Sequence, residues 1–449
     1  MESWIAMELI RTRINDCENC YKCIRTCPVK AISFKDNQAQ IIEDDCIFCG
    51  LCKNACPQDA KSVQSDMHFL KNWVLSEREV VVSIAPSFLS DFYKSDFTSM
   101  RTALITLGVK EVYQTAEAAT VVKNRYEEEI SDQCSPVIIS SACPTVNLLI
   151  QKNYPSLIPY LSNTPSPMYI HSKMIEKKHP DALKVFIGPC LSKKYEARIT
   201  KSMDAVVSFI ELKDWFDEAG IAWEQKSHDN PTGKTNCFPV SGGIIRSFNT
   251  YDEQYHYLSV DNINACKQAL SDIEEGIIDN AFIEMSACEN SCTGGPLRNA
   301  KTKKPLKSII NIKQNMSEQD YPVYSLFKDT TMQYDPLYKK ASLPNERELT
   351  EILNKMGKDD PEKILNCGSC GYNTCKEKAV AIYQNKADLT MCLPYLKEKA
   401  ESFSDNIVHN TPNGVTVFNT NLKIHTMNPA AKTLMGAQGI KENTLYIHE

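Results

Sequence analysis

Apolar positions in this chain fall into short runs separated by polar, helix-compatible stretches, the texture of layered α/β structure. Four runs matter most after Glu79: Val80–Ser87, Pro136–Cys143, Leu183–Cys190 and Asp279–Cys288. Each reads as a strand ending in a loop of small or polar residues, and three of the loops carry a cysteine. A helix-compatible stretch follows most of them, Val146–Asn153 being the clearest. Loops at the carboxyl ends of parallel strands converge on one crevice. Cys143, Cys190, Cys288 and Cys292 are therefore expected to meet, although a single such cysteine would read as a buried structural thiol. Shorter apolar stretches, Ala31–Phe34 and Ala60–Val63, predict small elements near the N-terminus. Near the other end, Tyr395–Asn406 reads as a polar helix. The apolar runs flanking Asn413-Gly414 then read as strands joined by a turn.

Composition narrows the class. At roughly 100 to 200 residues per domain, 449 residues imply two to four domains. Acidic side chains outnumber basic ones 56 to 50, so no basic excess invites nucleic acid. The longest apolar runs fall far short of the roughly 18 residues that span a bilayer, so no membrane segment is expected. Residues Met1–Ile10 hold an early glutamate and no basic stretch, so no secretory leader is expected and a cytoplasmic location is. In such a compartment 19 cysteines read as ligands, because thiols there stay reduced.

The cysteine spacing carries the chemistry. Cys17, Cys20, Cys23 and Cys27-Pro28 are repeated about 29 residues on as Cys46, Cys49, Cys52 and Cys56-Pro57. Three thiolates at this spacing wrap one corner of an iron–sulfur cube, and the proline-directed fourth reaches the other cube. Cys17, Cys20, Cys23 and Cys56 then hold one [4Fe–4S] cluster; Cys46, Cys49, Cys52 and Cys27 hold the second. Zinc ribbons use two CxxC pairs per metal, which this pattern does not offer. The segment resembles a bacterial two-cluster ferredoxin over roughly residues 10–65. Further on, Cys367, Cys370, Cys375 and Cys392, with no histidine among them, resemble a small [4Fe–4S] domain. Gly368 and Gly371 permit tight turns around the sulfurs there.

Three segments carry a further resemblance: Ser140–Pro144, Gly188–Glu196 and Glu284–Pro296 are similar to the signature loops of [FeFe]-hydrogenases. The resemblance spans about residues 80–340. It implies an H-cluster, a [4Fe–4S] cube on Cys143, Cys190, Cys288 and Cys292. Cys292 would bridge to a di-iron subsite bearing CO, cyanide and an azadithiolate. It places Lys193 and Ser87 as donors to the cyanides, with Ala85, Pro86, Pro189 and Ser286 around the cofactor and Glu196 as a supporting carboxylate. Ala142 stands where fast members carry a cysteine, and a methyl group passes no proton. The acidic relay is missing from Thr115–Val121, and Gly188 and Ser286 replace methionines. A more polar, less crowded pocket is expected. Losing an acid–base partner costs about 10² to 10⁴ in rate, so slow hydrogen turnover is expected. Glu289 is the substitute proton carrier this reading offers, a solvated loop glutamate being the plain alternative. Cys134, Cys237 and Cys266 are left as ordinary thiols.

The last stretch, Ile407–Asn419 and Leu422–Ala431, resembles the opening of a PAS sensor domain, whose full length exceeds what remains before Glu449. The expected organisation is an α/β multidomain chain. It comprises a ferredoxin module (1–75), a two-lobed hydrogenase core with parallel sheets (76–345), a small [4Fe–4S] domain (346–400), and a linker helix with a partial PAS-like tail (401–449). The resemblances imply a hydrogen or redox sensor. Its partners would be H2 and protons, a ferredoxin or signalling module, and maturation proteins for the di-iron subsite. They imply no nucleic acid and no membrane, and leave a homodimer open. The alternatives are a non-catalytic regulatory or assembly protein on the same fold and a metabolic hydrogenase with an unusual proton path.

Overall fold

The computed structural model describes residues 8–227, 231–298, 304–322, 327, 330–339 and 342–438. Parts of the N-terminal stretch, of the 335–347 linker and of the PAS-like tail therefore lie outside the described residues. The chain divides into two compact units, Met1–Ala341 and Ser342–Glu449.

The first unit opens with two small antiparallel ribbons. Strand β1 (Ile10–Thr12), β2 (Ile32–Lys35), β3 (Gln38–Ile41) and β4 (Lys61–Val63) pair as β1 with β4 and β2 with β3. Each cysteine triplet ends in a five-residue helix, Lys22–Thr26 or Leu51–Ala55. Each helix is entered through a left-handed residue, Tyr21 or Gly50. The sequence repeat thus folds as a structural repeat.

Beyond it lie β5 (Val80–Ile84), β6 (Glu111–Gln114), β7 (Val137–Ile139), β8 (Leu183–Ile187), β9 (Ala205–Val207), β10 (His256–Asp261) and β11 (Ala281–Ser286). They form two parallel sheets with orders β6-β5-β8-β9 and β10-β11-β7. All five residues of β5 are buried, as a central strand covered on both faces requires. The four runs expected to be strands are the inner strands β5 and β8 of one sheet and, in the other, the middle strand β11 with its edge neighbour β7. The short outer strands β6 and β9 and the exposed β10 were not expected. They lack the continuous apolar run on which the reading relied.

One large core surrounds the first sheet. The second sheet divides its alternating residues between two cores: Ile139, Ile283 and Met285 on one side, Ile138 and Phe282 on the other. Leu9, Ile10, Ile47 and Phe48 of the N-terminal segment belong to the former of these. Phe48 stacks on Tyr195 with ring centroids 4.7 Å apart. The 335–347 linker is not uniformly loose: Leu337 donates its N–H to Gln151 O at 2.9 Å, and Lys339 pairs with Asp44 at 2.6 Å.

The second unit has a small core of Leu349, Met356 and Ala379, built by helices Glu346–Lys355 and Cys375–Tyr383. Helix Leu393–Asn410 follows, longer than expected, so that Ile407–Asn410 is helical and not strand. The antiparallel pair β12 (Thr416–Phe418) and β13 (Ile424–Met427) turns at Asn419–Lys423, where Asn419 Oδ1 accepts from Asn421 N and Lys423 N. Asn413-Gly414 is therefore not the hairpin turn. A Cβ at Gly414 would come within 3.1 Å of Ala431 Cα, so close packing uses that glycine. No helix among the described residues is long and apolar enough to cross a membrane.

Candidate metal centre

Strand register sets the central site. In the first sheet Ile84 is level with Ile187, so Ser87 and Cys190, each three residues further on, leave the sheet side by side. In the second sheet Ile139 is level with Ile283, which brings the loops bearing Cys143 and Cys288 to a common edge. Cys143 and Cys190 each cap a helix, Pro144–Asn153 and Leu191–Thr200, where backbone N–H groups favour negative sulfur. The four expected sulfurs do meet. The Cys288 thiol is raised well above its ordinary value by burial and by the neighbouring Cys190, Cys143 and Cys292. Burial pushes Cys292 up to about 12 and raises Cys143. Thiolates gathered this closely repel one another unless a shared cation offsets their charge, and metal binding there would release protons.

Cys143, Cys190 and Cys292 line a cavity of about 120 Å³. Cys292 is open to it, although its thiol is strongly desolvated. Ala85, Pro86, Ser87, Ala142, Pro189, Lys193 and Ser286, expected around a cofactor, all lie on its wall. Ser87 Oγ is buried and has no hydrogen-bond partner among the described residues, an expensive state that a bound acceptor would relieve. Lys193 Nζ lies 2.6 Å from Glu196 Oε2, and Ser166 donates to the other carboxylate oxygen. Glu196 thus orients the lysine from outside the cavity. The thiol set, the orphaned hydroxyl and the positioned ammonium fit an anionic iron–sulfur group with a polar extension.

Two expectations change. Glu289 is exposed and is not on the cavity wall, because the loop turns it outward between Cys288 and the left-handed Asn290. The carboxyl that does reach the cavity is Glu284, on β11. It is 3% exposed and accepts from Ile245 N at 3.1 Å, and burial raises it to about 7. The signal available in the sequence was an ionisable residue inside an otherwise apolar strand, Ala281–Ser286. Nor is the pocket more polar or open beside Gly188: a Cβ there would meet Phe186 Cε1 at 2.6 Å, and Phe186 itself lines the wall. In the absent relay stretch, Glu117 accepts from Gln114 N at 3.3 Å and caps helix Thr115–Ser131. Cys237 and Cys266 are buried and Cys134 exposed.

The other cysteine groups assemble separately. Cys27, Cys46, Cys49 and Cys52 line a cavity of about 20 Å³, which brings the Cys-Pro cysteine of one repeat to the triplet of the other. Burial takes Cys46 to about 11 and Cys52 to about 12, with Cys27 contributing to both. Cys23 is raised chiefly by burial, with Cys17 and Cys20 adding to it. The two Cys-Pro turns match: Cys27 Sγ accepts from Ala31 N and Cys56 Sγ from Ala60 N, both at 3.3 Å. In the second unit Cys367, Cys370, Cys375 and Cys392 surround another cavity of about 20 Å³. Among the described residues no three His, Cys, Asp or Glu side chains close on a single ion. The sulfurs surround volumes, as polynuclear clusters require. Cys49 of the second N-terminal group also lies near enough to Cys288 to raise it.

Comparison with known proteins agrees with this layout. A family model described as the iron-only hydrogenase large subunit, C-terminal domain, matches residues 78–296. A 4Fe-4S dicluster model matches 16–60, and an Fe-S cluster model matches 365–394. The cytosolic Fe-S cluster assembly factor of Kluyveromyces lactis is 24% identical over 51% of this chain and 50% of its own length. That of Saccharomyces cerevisiae is 26% identical over 37% and 40%. The chain spans about half or less of the length of these curated relatives. An [FeFe]-hydrogenase from Chlamydomonas reinhardtii is 16% identical, with a TM-score of 0.48 over 62% of this chain and 100% of that one. A ferredoxin of Methanothermococcus thermolithotrophicus is 35% identical over 10% of this chain and 77% of its own length. Through its N-terminal segment the chain belongs to the 4Fe-4S ferredoxins, joined to a domain that matches the iron-only hydrogenase large subunit.

Proposed function

We propose that this chain is an iron–sulfur electron-transfer protein on the hydrogenase fold, with a regulatory or assembly role in place of bulk hydrogen turnover. The observation that carries this reading is the close packing of the second N-terminal cysteine group on the central site: Gly50, next to Cys49, lies against Pro296, and Leu191, next to Cys190, lines the cavity of Cys27, Cys46, Cys49 and Cys52, which would keep an electron path between the two groups short. Ala142 on the cavity wall supports the second half: the position next to a ligand cysteine offers no proton acceptor. The assembly-factor relatives support it as well. Cys143, Cys190, Cys288 and Cys292 would hold the central cluster, and the three other cysteine groups one [4Fe–4S] cluster each. The expected divisions at 75, 345 and 400 and a cytoplasmic location belong to this proposal.

A second reading is favoured by one observation, the roomy cavity with its orphaned Ser87 hydroxyl. On it, the central cluster extends into an H-cluster, and the chain responds slowly to H2 and signals through a PAS-like tail. When bound, such a group would supply heterolytic H2 chemistry. The chain would contribute Ser87 and Lys193 as donors, Glu196 as the orienting carboxylate, and Glu284 as the proton holder on the wall.

Infrared spectra of protein co-produced with di-iron maturation factors separate the two. Iron-loaded protein without CO or cyanide bands under argon and under H2 is the result expected. Such bands would replace the first reading with the second, and hydrogen turnover at the rate of fast hydrogenases would overturn both. Iron and sulfide absent from the central site would remove the electron-transfer path itself.

A further inference from the structure

The four-cysteine site of the second unit is enclosed by two lysines. Lys378 is 1% exposed and Lys358 7%, and both lie on the wall of the cavity formed by Cys367, Cys370, Cys375 and Cys392. Lys378 follows Cys375 by three residues on helix Cys375–Tyr383, so both side chains share a face. Its Nζ donates to Leu389 O at 3.1 Å, in the turn just before Cys392. Its charge is felt by Cys392, Cys370 and Cys375, and that of Lys358 by Cys367. Every sulfur of the site therefore has a buried ammonium nearby. The carboxylate whose charge also reaches Lys378 is Asp388, which is exposed and accepts from Thr390 N.

Burying two lysines costs several kcal/mol unless negative charge offsets it. Four neutral thiols would not, whereas four thiolates on a polynuclear iron cluster carry net negative charge in both redox states. We propose that Lys358 and Lys378 are the residues that set the reduction potential of the C-terminal iron–sulfur cluster, holding it high enough to serve as an electron acceptor. The inference rests on the assignment of a [4Fe–4S] cluster to these cysteines. In the step concerned, one electron passes from a reduced iron–sulfur donor, or from dithionite in vitro, to the oxidised cluster. No bond forms or breaks, and no proton is taken up. The cluster gains one negative charge, and the ammonium groups stabilise that added charge more than the oxidised form.

The contrast within the molecule supports this role. The central site has one wall lysine, Lys193, and Glu196 neutralises it at 2.6 Å. In the N-terminal module the buried Lys61 lies between the two cluster groups, where Cys23 and Cys52 both feel it. Its Nζ donates to Ala39 O at 3.2 Å. Among the described residues, the C-terminal site encloses two lysines on the wall of a single four-cysteine cavity.

The test is a redox titration of the full chain, with the C-terminal cluster followed by electron paramagnetic resonance. A Cys367→Ala, Cys375→Ala variant identifies its signal by subtraction. Lys378→Met keeps the side-chain length and removes the charge. At a poise that half-reduces the wild-type cluster, its reduced-to-oxidised ratio is expected to fall about tenfold or more, as loss of a unit charge close by implies. Lys358→Met is expected to act in the same direction, and Lys378→Arg to stay near wild type. A Met variant that loads its cluster at an unchanged midpoint would overturn the inference and leave the cluster assignment standing. A wild-type chain lacking the subtracted signal would overturn the assignment itself. Should Lys378→Met fail to fold, Lys358→Met decides by the same criterion.

Discussion

The central and C-terminal cysteine sites differ in ways that four-thiol counting would hide. Both gather cysteines around a cavity, three at the central site and four at the C-terminal one, yet the central cavity holds about 120 Å³ and the C-terminal one about 20 Å³. The larger is walled by an apolar pocket with one unpartnered hydroxyl and a lysine already paired to a carboxylate. The smaller is closed by two lysines. A tight, positively lined pocket stabilises one added electron. A roomy, neutralised one leaves space for something beyond a cube, and it holds protonatable groups to serve it.

The sharpest way to break that comparison is to remove one sulfur from each site. Cys190→Ala is expected to lose the iron and sulfide of the central cluster while the N-terminal clusters remain. Cys370→Ala should lose only the C-terminal one. Iron and acid-labile sulfide analysis reads both. If either change emptied both sites, their independence would be wrong.

Next in size is Glu284. Burial raises its pKa to about 7, above the ordinary carboxyl value, so the folded state holds a proton that the unfolded chain has released. Its folded state is therefore favoured at low pH, and stability falls as pH rises from about 4.5 to about 7, by about 3 kcal/mol in all. Glu284→Gln should flatten that slope in urea unfolding of the cluster-free protein at pH 5 and pH 8. An unchanged slope would remove Glu284 as the titrating wall group.

Gly188→Ala tests the packing side of the contrast. With Phe186 in the way, the added methyl is expected to cost about 1 to 3 kcal/mol by thermal unfolding. A neutral result would mean that the aromatic ring yields. Smallest of all, Glu289→Gln should leave stability and cluster content within about 0.5 kcal/mol and experimental error of wild type, as an exposed loop position implies.

The cysteine ligands and the strand tips that carry them were legible because spacing and apolar runs encode them directly. Cys143, Cys190, Cys288 and Cys292 meet because they follow β7, β8 and β11, parallel strands whose mainly apolar runs stand out in the sequence. What could not be read was direction. Glu289 and Glu284 flank the same ligand loop, and only the pleat of β11 and the left-handed Asn290 decide which carboxyl faces the cavity. Phe186 taking up the space beside Gly188 is likewise a contact between positions that sequence patterning treats as independent. Ile407–Asn410 was misjudged because an exposed helix with no buried residue offers no period to detect.

One contact at the N-terminal module has a further consequence. Gly50, left-handed at φ 72° beside Cys49, sits where even a methyl would lie 2.4 Å from Pro296 Cβ, at the end of the third signature loop. With Phe48 stacked on Tyr195 and Lys152 donating to Cys46 O at 2.7 Å, the module is clamped to the body of its unit. A free ferredoxin must diffuse, collide and depart for each electron it brings, so its throughput depends on concentration and salt. On the proposed reading this one would be a fixed lead, its delivery first order, indifferent to dilution, and inseparable from the domain it feeds.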